Sequence, residues 1–271
     1  MNPSSKSERK FRISWQFGFT LLMFAFMYLP VLVLAFFSFN ESRFSAEWTG
    51  FSLRWYQQML GDGRILSALQ DSLSVAMLAV LIAAVLGTLM AVGLSRYEFP
   101  GKGLYQGVAY LPLIIPDIAI AVATLVFLAS MAIPLSLWTV VSAHVVFCIA
   151  YIAVVVSTRL AGLNPYLQEA ALDLGATPFQ AFIKVLLPEI MPAIISGCLL
   201  AFVLSMDDLL ISSFTAGGGT TTLPMEIFSR VRTGVRPDIN ALSVVLILGS
   251  GILAFAAEYI RYREDQKKLQ D

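Results

Sequence analysis

The chain has 271 residues, of which 58% are hydrophobic and only 13% are charged. Its mean hydropathy of +0.77 excludes an ordinary soluble domain, and its formal net charge of zero excludes the strongly basic surface typical of a nucleic-acid-binding protein. We therefore expect an all-α membrane protein that is surrounded by lipid and has no nucleic-acid partner.

Stretches without Asp, Glu, Lys or Arg predict six transmembrane helices, since about 20 apolar residues span a bilayer and a charge at its centre costs several kcal/mol. The third helix starts within 103–116, and the uncharged run 118–158 supplies its end, a turn near Pro134 and the fourth helix. The other four stretches are 13–40, 72–95, 190–206 and 239–257. We expect a membrane domain over 15–260, between tails at 1–14 and 261–271.

The distribution of Lys and Arg predicts the orientation of these helices. Twelve of the 18 basic residues fall in the two tails and in the segments 96–103 and 159–188, which lie on one side of a six-helix chain. The segments on the other side have a similar total length and hold the remaining six, among them Arg230, Arg232 and Arg236. Because basic residues favour the cytoplasmic side, we expect both termini in the cytoplasm. The three outer arginines then either meet acidic groups of a partner protein or are solvated.

Asp117 follows Pro112 and Pro116 in the predicted third helix. Proline lacks a backbone N–H and interrupts a helix, and a carboxylate inside a membrane needs a cavity or a partner. Counted along a straight helix from Leu104, Asp117 lies about 20 Å into the membrane, in its outer half. It is therefore either a polar group on a substrate path or the cap of a broken helix.

His144 is the only histidine and falls in the predicted fourth helix. We expect it to be a hydrogen-bonded packing residue. The alternative is a general base in an intramembrane serine hydrolase. The nearest nucleophile for that reaction is Ser250, between Gly249 and Gly251, and it lacks the Gly-x-Ser-Gly spacing of rhomboid-like proteases.

The segment 159–188 predicts two short capped helices. Asn164 followed by proline is typical of a helix start, and Gly175 suits the left-handed residue that follows a helix end. These signals predict a first helix over 166–174. Thr177 followed by proline repeats the start signal and predicts a second helix over 179–187.

Two adjacent carboxylates, Asp207 and Asp208, follow the predicted fifth helix. Asp207 lies about 25 Å along that helix from Ile190, a depth similar to that estimated for Asp117. Neighbouring residues on a helix point about 100° apart, so only one of the two carboxylates faces a path. The alternative is that they lie in interfacial water and pair with an outer arginine.

The segment 159–188 is similar to the EAA loop of ABC-importer permease subunits. The shared pattern is Glu169-Ala170-Ala171, then Gly175 after three residues, then Val185 and Leu187-Pro188, with Val185 where the family usually has isoleucine. Over 15–260 the chain resembles the permease subunits of spermidine/putrescine importers. The stretches that support this resemblance are 38–56, 111–117, 205–214 and 221–242.

The resemblance implies a type I ABC-importer permease fold in a bacterial inner membrane, with the loop as a coupling helix that seats in an ATPase. It implies coupling roles for Glu169, Ala170, Ala171, Asp173, Gly175, Leu187 and Pro188. The implied partners are a second related permease subunit, two ATP-binding subunits that hold ATP and Mg, and a periplasmic polyamine-binding protein. This chain is then not an enzyme and binds no cofactor itself.

The implied cargo is a polyamine, either spermidine or putrescine, whose ammonium groups meet the carboxylates of Asp117, Asp207 or Asp208 along the substrate path. On composition alone, Glu169 and Asp173 of the loop are equally well explained as solvated carboxylates. Two other functions stay open on the sequence. One is an ABC-importer permease for another small cationic or polar solute, and the other is an ATP-independent secondary transporter.

Overall fold

The computed structural model describes residues 15–42, 47–234 and 237–268, and most of these residues are helical. In chain order the helices are α1 (Trp15–Phe37), α2 (Arg54–Leu60), α3 (Gly63–Arg96), α4 (Lys102–Tyr110), α5 (Asp117–Ser130), α6 (Leu137–Ala161), α7 (Leu167–Asp173), α8 (Pro178–Ala181), α9 (Leu187–Asp207), α10 (Leu210–Thr215), α11 (Leu223–Thr233) and α12 (Pro237–Lys268). A 3₁₀ turn at Leu111–Leu113 follows α4, and a π-helical segment at Phe182–Leu186 joins α8 to α9. The expected all-α class is confirmed.

Four helical stretches among the described residues are long and apolar enough to cross a membrane. They are α1, α3, α6 and the continuous helix Pro178–Asp207, and they confirm the first, second, fourth and fifth predicted spans. Helix α12 is apolar over Pro237–Ile252, which is shorter than a full span. Among the described residues, fewer helices are long and apolar enough to span a membrane than the six that the sequence predicts.

The predicted third span is two helices rather than one. Helix α4 with its 3₁₀ turn, Lys102–Leu113, meets α5 at a bend of 107°. Pro116 precedes α5 with φ −58° and ψ 137°, and it has no backbone N–H with which to continue a helix. The depth estimated for Asp117 is therefore wrong, because it was measured along a straight helix that the bend interrupts.

The described residues divide into two compact units. The first holds α1, α2 and α12 up to Ala257. Within it the indole Nε1 of Trp55 donates a hydrogen bond to the carbonyl of Asn40 at 2.7 Å, which ties α2 to the end of α1. The second unit holds α3 to α11, so it contains both the acidic residues and the predicted coupling loop.

The core of the second unit lies where α6 packs between α3 and α9. Glycines allow close approach at both crossings. A Cβ on Gly87 of α3 would lie 3.0 Å from the carbonyl oxygen of Ile149, and one on Gly197 of α9 would lie 3.2 Å from the Cα of Ile152. Helices in a membrane associate through such close packing of small residues, so these three helices form a firm base for the shorter ones.

The turn that follows α10 packs tightly against the start of α6. A Cβ on Gly217 would overlap the backbone carbonyl of Leu135, whereas one on Gly218 would meet no atom within 4 Å. We expect Gly217→Ala to lower the stability of the protein by about 1–3 kcal/mol, the usual cost of overpacking, and Gly218→Ala to be neutral. Thermal unfolding of the two purified variants measures the difference, and equal midpoints would contradict this packing.

Candidate functional site

The first helix of the predicted coupling loop is α7, which differs from the predicted range 166–174 by one residue at each end. The side-chain Oδ1 of Asn164 accepts a hydrogen bond from the N–H of Tyr166 at 3.0 Å, just before the helix begins. Gly175 has φ +86°, and its N–H donates to the carbonyl of Leu172 at 2.9 Å. This left-handed glycine ends the helix sharply, as the sequence predicts.

The second predicted helix begins where expected but does not end at residue 187. The Thr177 hydroxyl accepts from the N–H of Gln180 at 3.3 Å, and the Gln180 side chain accepts from the N–H of Thr177 at 3.1 Å. From Pro178 the helix then runs on to Asp207 without a break. The π-helical segment lies just before Pro188, and its wider turn accommodates a residue that cannot donate to the preceding turn.

Two basic side chains attach this loop to the longer helices. Nη1 of Arg96, in the last turn of α3, donates to the carbonyl of Pro165 at 3.0 Å. Nη2 of Arg159, near the end of α6, lies 3.2 Å from the carboxylate of Glu189 in α9. The loop is thus held in place at its beginning and its end.

The same loop leaves a large apolar surface uncovered. Leu174 is 90% exposed and Phe179 is 73% exposed, on either side of the turn at Gly175. Of the predicted coupling residues, Glu169, Ala170, Asp173, Gly175 and Pro188 are exposed, while Ala171 and Leu187 are partly buried. A rigid loop with exposed apolar side chains and flanking carboxylates can fit into a groove of another protein.

Asp117 is the first residue of α5, directly after the bend. Its side chain is exposed. Pro116 stands at the N-cap position and supplies no side-chain hydrogen bond to the helix. The bend therefore places an exposed carboxylate at the start of a helix.

A second helix break separates Asp207, the last residue of α9, from Leu210, the first residue of α10. Asp207 is exposed. Asp208 points into the protein, where Oδ1 accepts from the N–H of Ile211 at 3.1 Å and Oδ2 accepts from the N–H of Ser212 at 2.7 Å. Asp208 therefore caps α10, and the two carboxylates that the sequence could not separate have different surroundings.

His144 of α6 lies beside this second break and is fully buried. Its Nδ1 lies 2.7 Å from the hydroxyl of Ser205, and its Nε2 lies 3.1 Å from the hydroxyl of Ser212 and 3.2 Å from Oδ2 of Asp208. The prediction of a hydrogen-bonded packing residue is confirmed. For Asp208, the alternative of a pairing with an outer arginine is wrong, because its partner is His144.

The partners of His144 lie more than 60 positions along the chain and were not predicted from the sequence. A signal for them was present in the spacing. Ser205, Asp208 and Ser212 are three and four residues apart, which is the spacing of one helix face. A polar stripe in an otherwise apolar region indicates a polar partner on a facing helix.

An ion-pair cluster joins α11 to the start of α3. Nη2 of Arg230 lies 2.8 Å from the carboxylate of Asp62, and its Nε lies 2.7 Å from that of Glu226. Burial alone would raise the pKa of Asp62, but the hydrogen bond and charge of Arg230 lower that pKa below its ordinary value. Arg232 lies over the ring of Phe228 at 5.5 Å, and Arg236 falls outside the described residues.

The lowered pKa of Asp62 predicts that mild acid leaves this cluster intact. Its stabilisation is present above the ordinary carboxyl pKa and is lost only as the pH falls through the lower pKa of the folded protein. Hydrogen exchange of residues 223–233 should therefore be the same at neutral pH and at about pH 5, after correction for the intrinsic rate. Asp62→Asn should speed exchange at both pH values, and acceleration by acid alone would contradict the assignment.

Comparison with known proteins shows which family has this arrangement of helices. Residues 83–268 match the family described as "Binding-protein-dependent transport system inner membrane component". The chain is 44% identical over 267 residues to the putrescine transport system permease protein PotI of Escherichia coli strain K12, which covers 96% of this chain and 95% of that protein. It is 38% identical over 243 residues to the spermidine/putrescine transport system permease protein PotC of the same strain, which covers 90% and 92%.

A solved structure has the same fold. One chain of a bacterial alginate ABC transporter, crystallised in complex with an alginate pentasaccharide-bound periplasmic protein, matches with a TM-score of 0.67 at 17% identity. The match covers 92% of this chain and 94% of that chain. At this identity the likeness concerns the fold alone, and it confirms the expected permease fold.

Proposed function

Because this chain belongs to the family of binding-protein-dependent transport system inner membrane components, we propose that it is the permease subunit of an ABC importer that moves polyamines into the cell. The chain is a multi-pass inner-membrane protein and a transport subunit, not an enzyme. The observation that supports the polyamine cargo most strongly is the 44% identity to a putrescine permease over 96% of the chain.

The two helix breaks supply the chemistry that a polyamine requires. At neutral pH a polyamine is a chain of ammonium groups separated by methylene groups. Asp117 and Asp207 offer exposed carboxylates, and exposed apolar side chains lie close by in sequence, Ile118 in α5 and Leu210 in α10. Helices α5 and α10, which follow the two acidic breaks in the chain, pack against each other. The carboxylates bind the ammonium groups, and the apolar side chains pack against the methylene groups.

The loop 159–188 is the surface that receives the ATPase. Its rigid turn at Gly175 and the exposed side chains of Leu174 and Phe179 support this role. The helix Pro178–Asp207 runs unbroken from the loop to the second acidic break, a distance of about 45 Å at 1.5 Å per residue. Movement of the loop therefore reaches Asp207 along one continuous helix.

The complete importer holds a second related permease, two ATP-binding subunits with ATP and Mg, and a periplasmic polyamine-binding protein. The relative that was crystallised with a periplasmic protein supports the last of these partners. Twelve of the 18 Lys and Arg residues fall in the tails and in the segments 96–103 and 159–188, and this excess supports a cytoplasmic position for both termini. Binding of ATP closes the ATPases and opens the path outward, and hydrolysis returns it inward.

Uptake of radiolabelled putrescine and spermidine by cells that express all subunits tests this function. The controls are cells that lack only this chain, and cells whose ATPase subunits carry an inactivating substitution. We expect accumulation only when both the chain and the active ATPase are present. Uptake that persists with the inactive ATPase would identify an ATP-independent carrier. If the cells accumulated another cationic or polar solute but no polyamine, that solute would be the cargo instead.

A further inference from the structure

A single buried imidazole joins the two sides of the second helix break. His144 belongs to α6, whereas Ser205 lies in the last turns of α9 and Ser212 lies in α10. Between these two serines the backbone leaves the helix at Asp208, with φ −69° and ψ 120°. A side chain from a third helix, α6, thus contacts both of the helices that this break separates.

The hydrogen-bond pattern fixes one proton of the imidazole. The ionised carboxylate of Asp208 can only accept, so Nε2 of His144 carries the proton and donates. Nδ1 lies within hydrogen-bond distance of the hydroxyl of Ser205, which can donate or accept. Both ring nitrogens of His144 therefore have a partner, and both oxygens of Asp208 accept hydrogen bonds from the fold.

The two neighbouring carboxylates differ in their relation to the helix dipoles. Asp208 lies at the positive end of α10 and is stabilised there. Asp207 lies at the negative end of α9, which disfavours a carboxylate, and its side chain is exposed. Folding therefore uses the carboxylate of Asp208 and leaves that of Asp207 exposed.

The far end of α10 is also held by α6. The hydroxyl of Thr139 lies 2.7 Å from the carbonyl of Thr215, and Gly217 packs against the backbone of Leu135. Helix α10 in turn packs on α5, which begins at Asp117. Contacts from α6 therefore set the position of α10 at both of its ends.

We propose that His144 is a positioning residue for cation transfer: it holds the break at residues 208–209, keeps Asp208 within the fold and thereby presents Asp207 to the cargo. The identity of that cargo as a polyamine rests on the proposed function. The positioning of Asp207 rests on the contacts of His144 alone, so the two claims can fail separately.

A labelling experiment tests the positioning without any cargo. The experiment uses the assembled complex, in which Cys148→Ala and Cys198→Ala remove the native thiols of this chain. In this background, the new thiol of Asp207→Cys is reacted with a charged, membrane-impermeant thiosulfonate. We expect His144→Ala to slow the reaction about tenfold and His144→Gln to restore most of it, since the glutamine amide can donate to Asp208. Leu60→Cys, exposed at the end of α2 in the other unit, is the control, and its rate should not change. Equal rates at position 207 with and without His144 would overturn the proposal, as would an equal loss at both positions.

A transport experiment separates positioning from general damage. With Asp207 intact, His144→Ala should raise the KM for putrescine about tenfold while the maximal rate stays within about twofold, and His144→Gln should restore the KM. A fall in the maximal rate with an unchanged KM would overturn the proposal. If the wild-type complex moves no polyamine but the labelling follows the expected pattern, the proposed cargo fails and the positioning of Asp207 stands.

Discussion

Gly175→Pro should abolish ATP-driven polyamine uptake and weaken the association of the ATPase subunits. Gly175 has φ +86°, whereas proline is fixed near −65°, and the substitution also removes the N–H that donates to Leu172. The native turn then costs about 3 kcal/mol or more, which corresponds to about a hundredfold loss of the correctly folded loop. Co-purification of the ATPase and uptake in cells measure the two effects.

Gly175→Asn is the matched control at the same position. Asparagine enters the left-handed region more readily than other residues with a side chain, and its backbone N–H remains. Nothing lies within 4 Å of the place where its Cβ would be, so the substitution adds no clash. We expect this variant to retain most uptake. A proline variant that stays fully associated and hydrolyses ATP in step with transport would show that the turn is not part of the coupling.

Asp117→Asn should raise the KM for polyamine uptake about 10- to 100-fold and leave the assembly of the complex unchanged. A hydrogen bond to a charged group contributes about 1.5–3 kcal/mol, and the asparagine side chain keeps the size but loses the charge. The residue lies exposed at the start of α5, so the substitution removes no buried contact. Initial rates of radiolabelled putrescine uptake over a range of concentrations give the KM.

Two variants define what the Asp117 result means. Asp117→Glu keeps the charge and should stay within a few fold of the wild-type KM. Glu98→Gln removes a carboxylate that pairs with Lys102 at 2.7 Å on the surface of the protein, and it should change nothing. If Asp117→Asn and Glu98→Gln had the same KM, the carboxylate at the first break would not contact the cargo.

The parts of the fold that depend on neighbouring residues were predictable from the sequence. The starts at Asn164 and Thr177 and the stop at Gly175 are local signals, because each side chain or backbone angle acts within one helical turn. The long apolar helices were predictable for a similar reason, since the membrane selects them by composition and length. These features correspond to the predicted coupling loop and to four of the spans.

The parts that depend on distant residues were not predictable. Prolines at positions 112 and 116 indicate a break, but the bend of 107° also involves distant helices, since α6 contacts the 3₁₀ turn and α10 packs on α5. The continuation of the second loop helix into α9 was missed because Pro188 resembled a stop signal, and the π-helical segment accommodates it. The different surroundings of Asp207 and Asp208 depend on His144, which lies in another helix.

The most direct test of the account uses proteoliposomes that hold the complete complex, with the binding protein outside and ATP inside. Three four-carbon compounds of similar length differ mainly in charge: putrescine, 1,4-butanediol and succinate. We predict ATP-dependent accumulation of putrescine against its gradient and no accumulation of the other two. Accumulation of succinate or butanediol, or accumulation of putrescine in the absence of ATP, would contradict the conclusion that this chain is the permease of an ATP-driven polyamine importer.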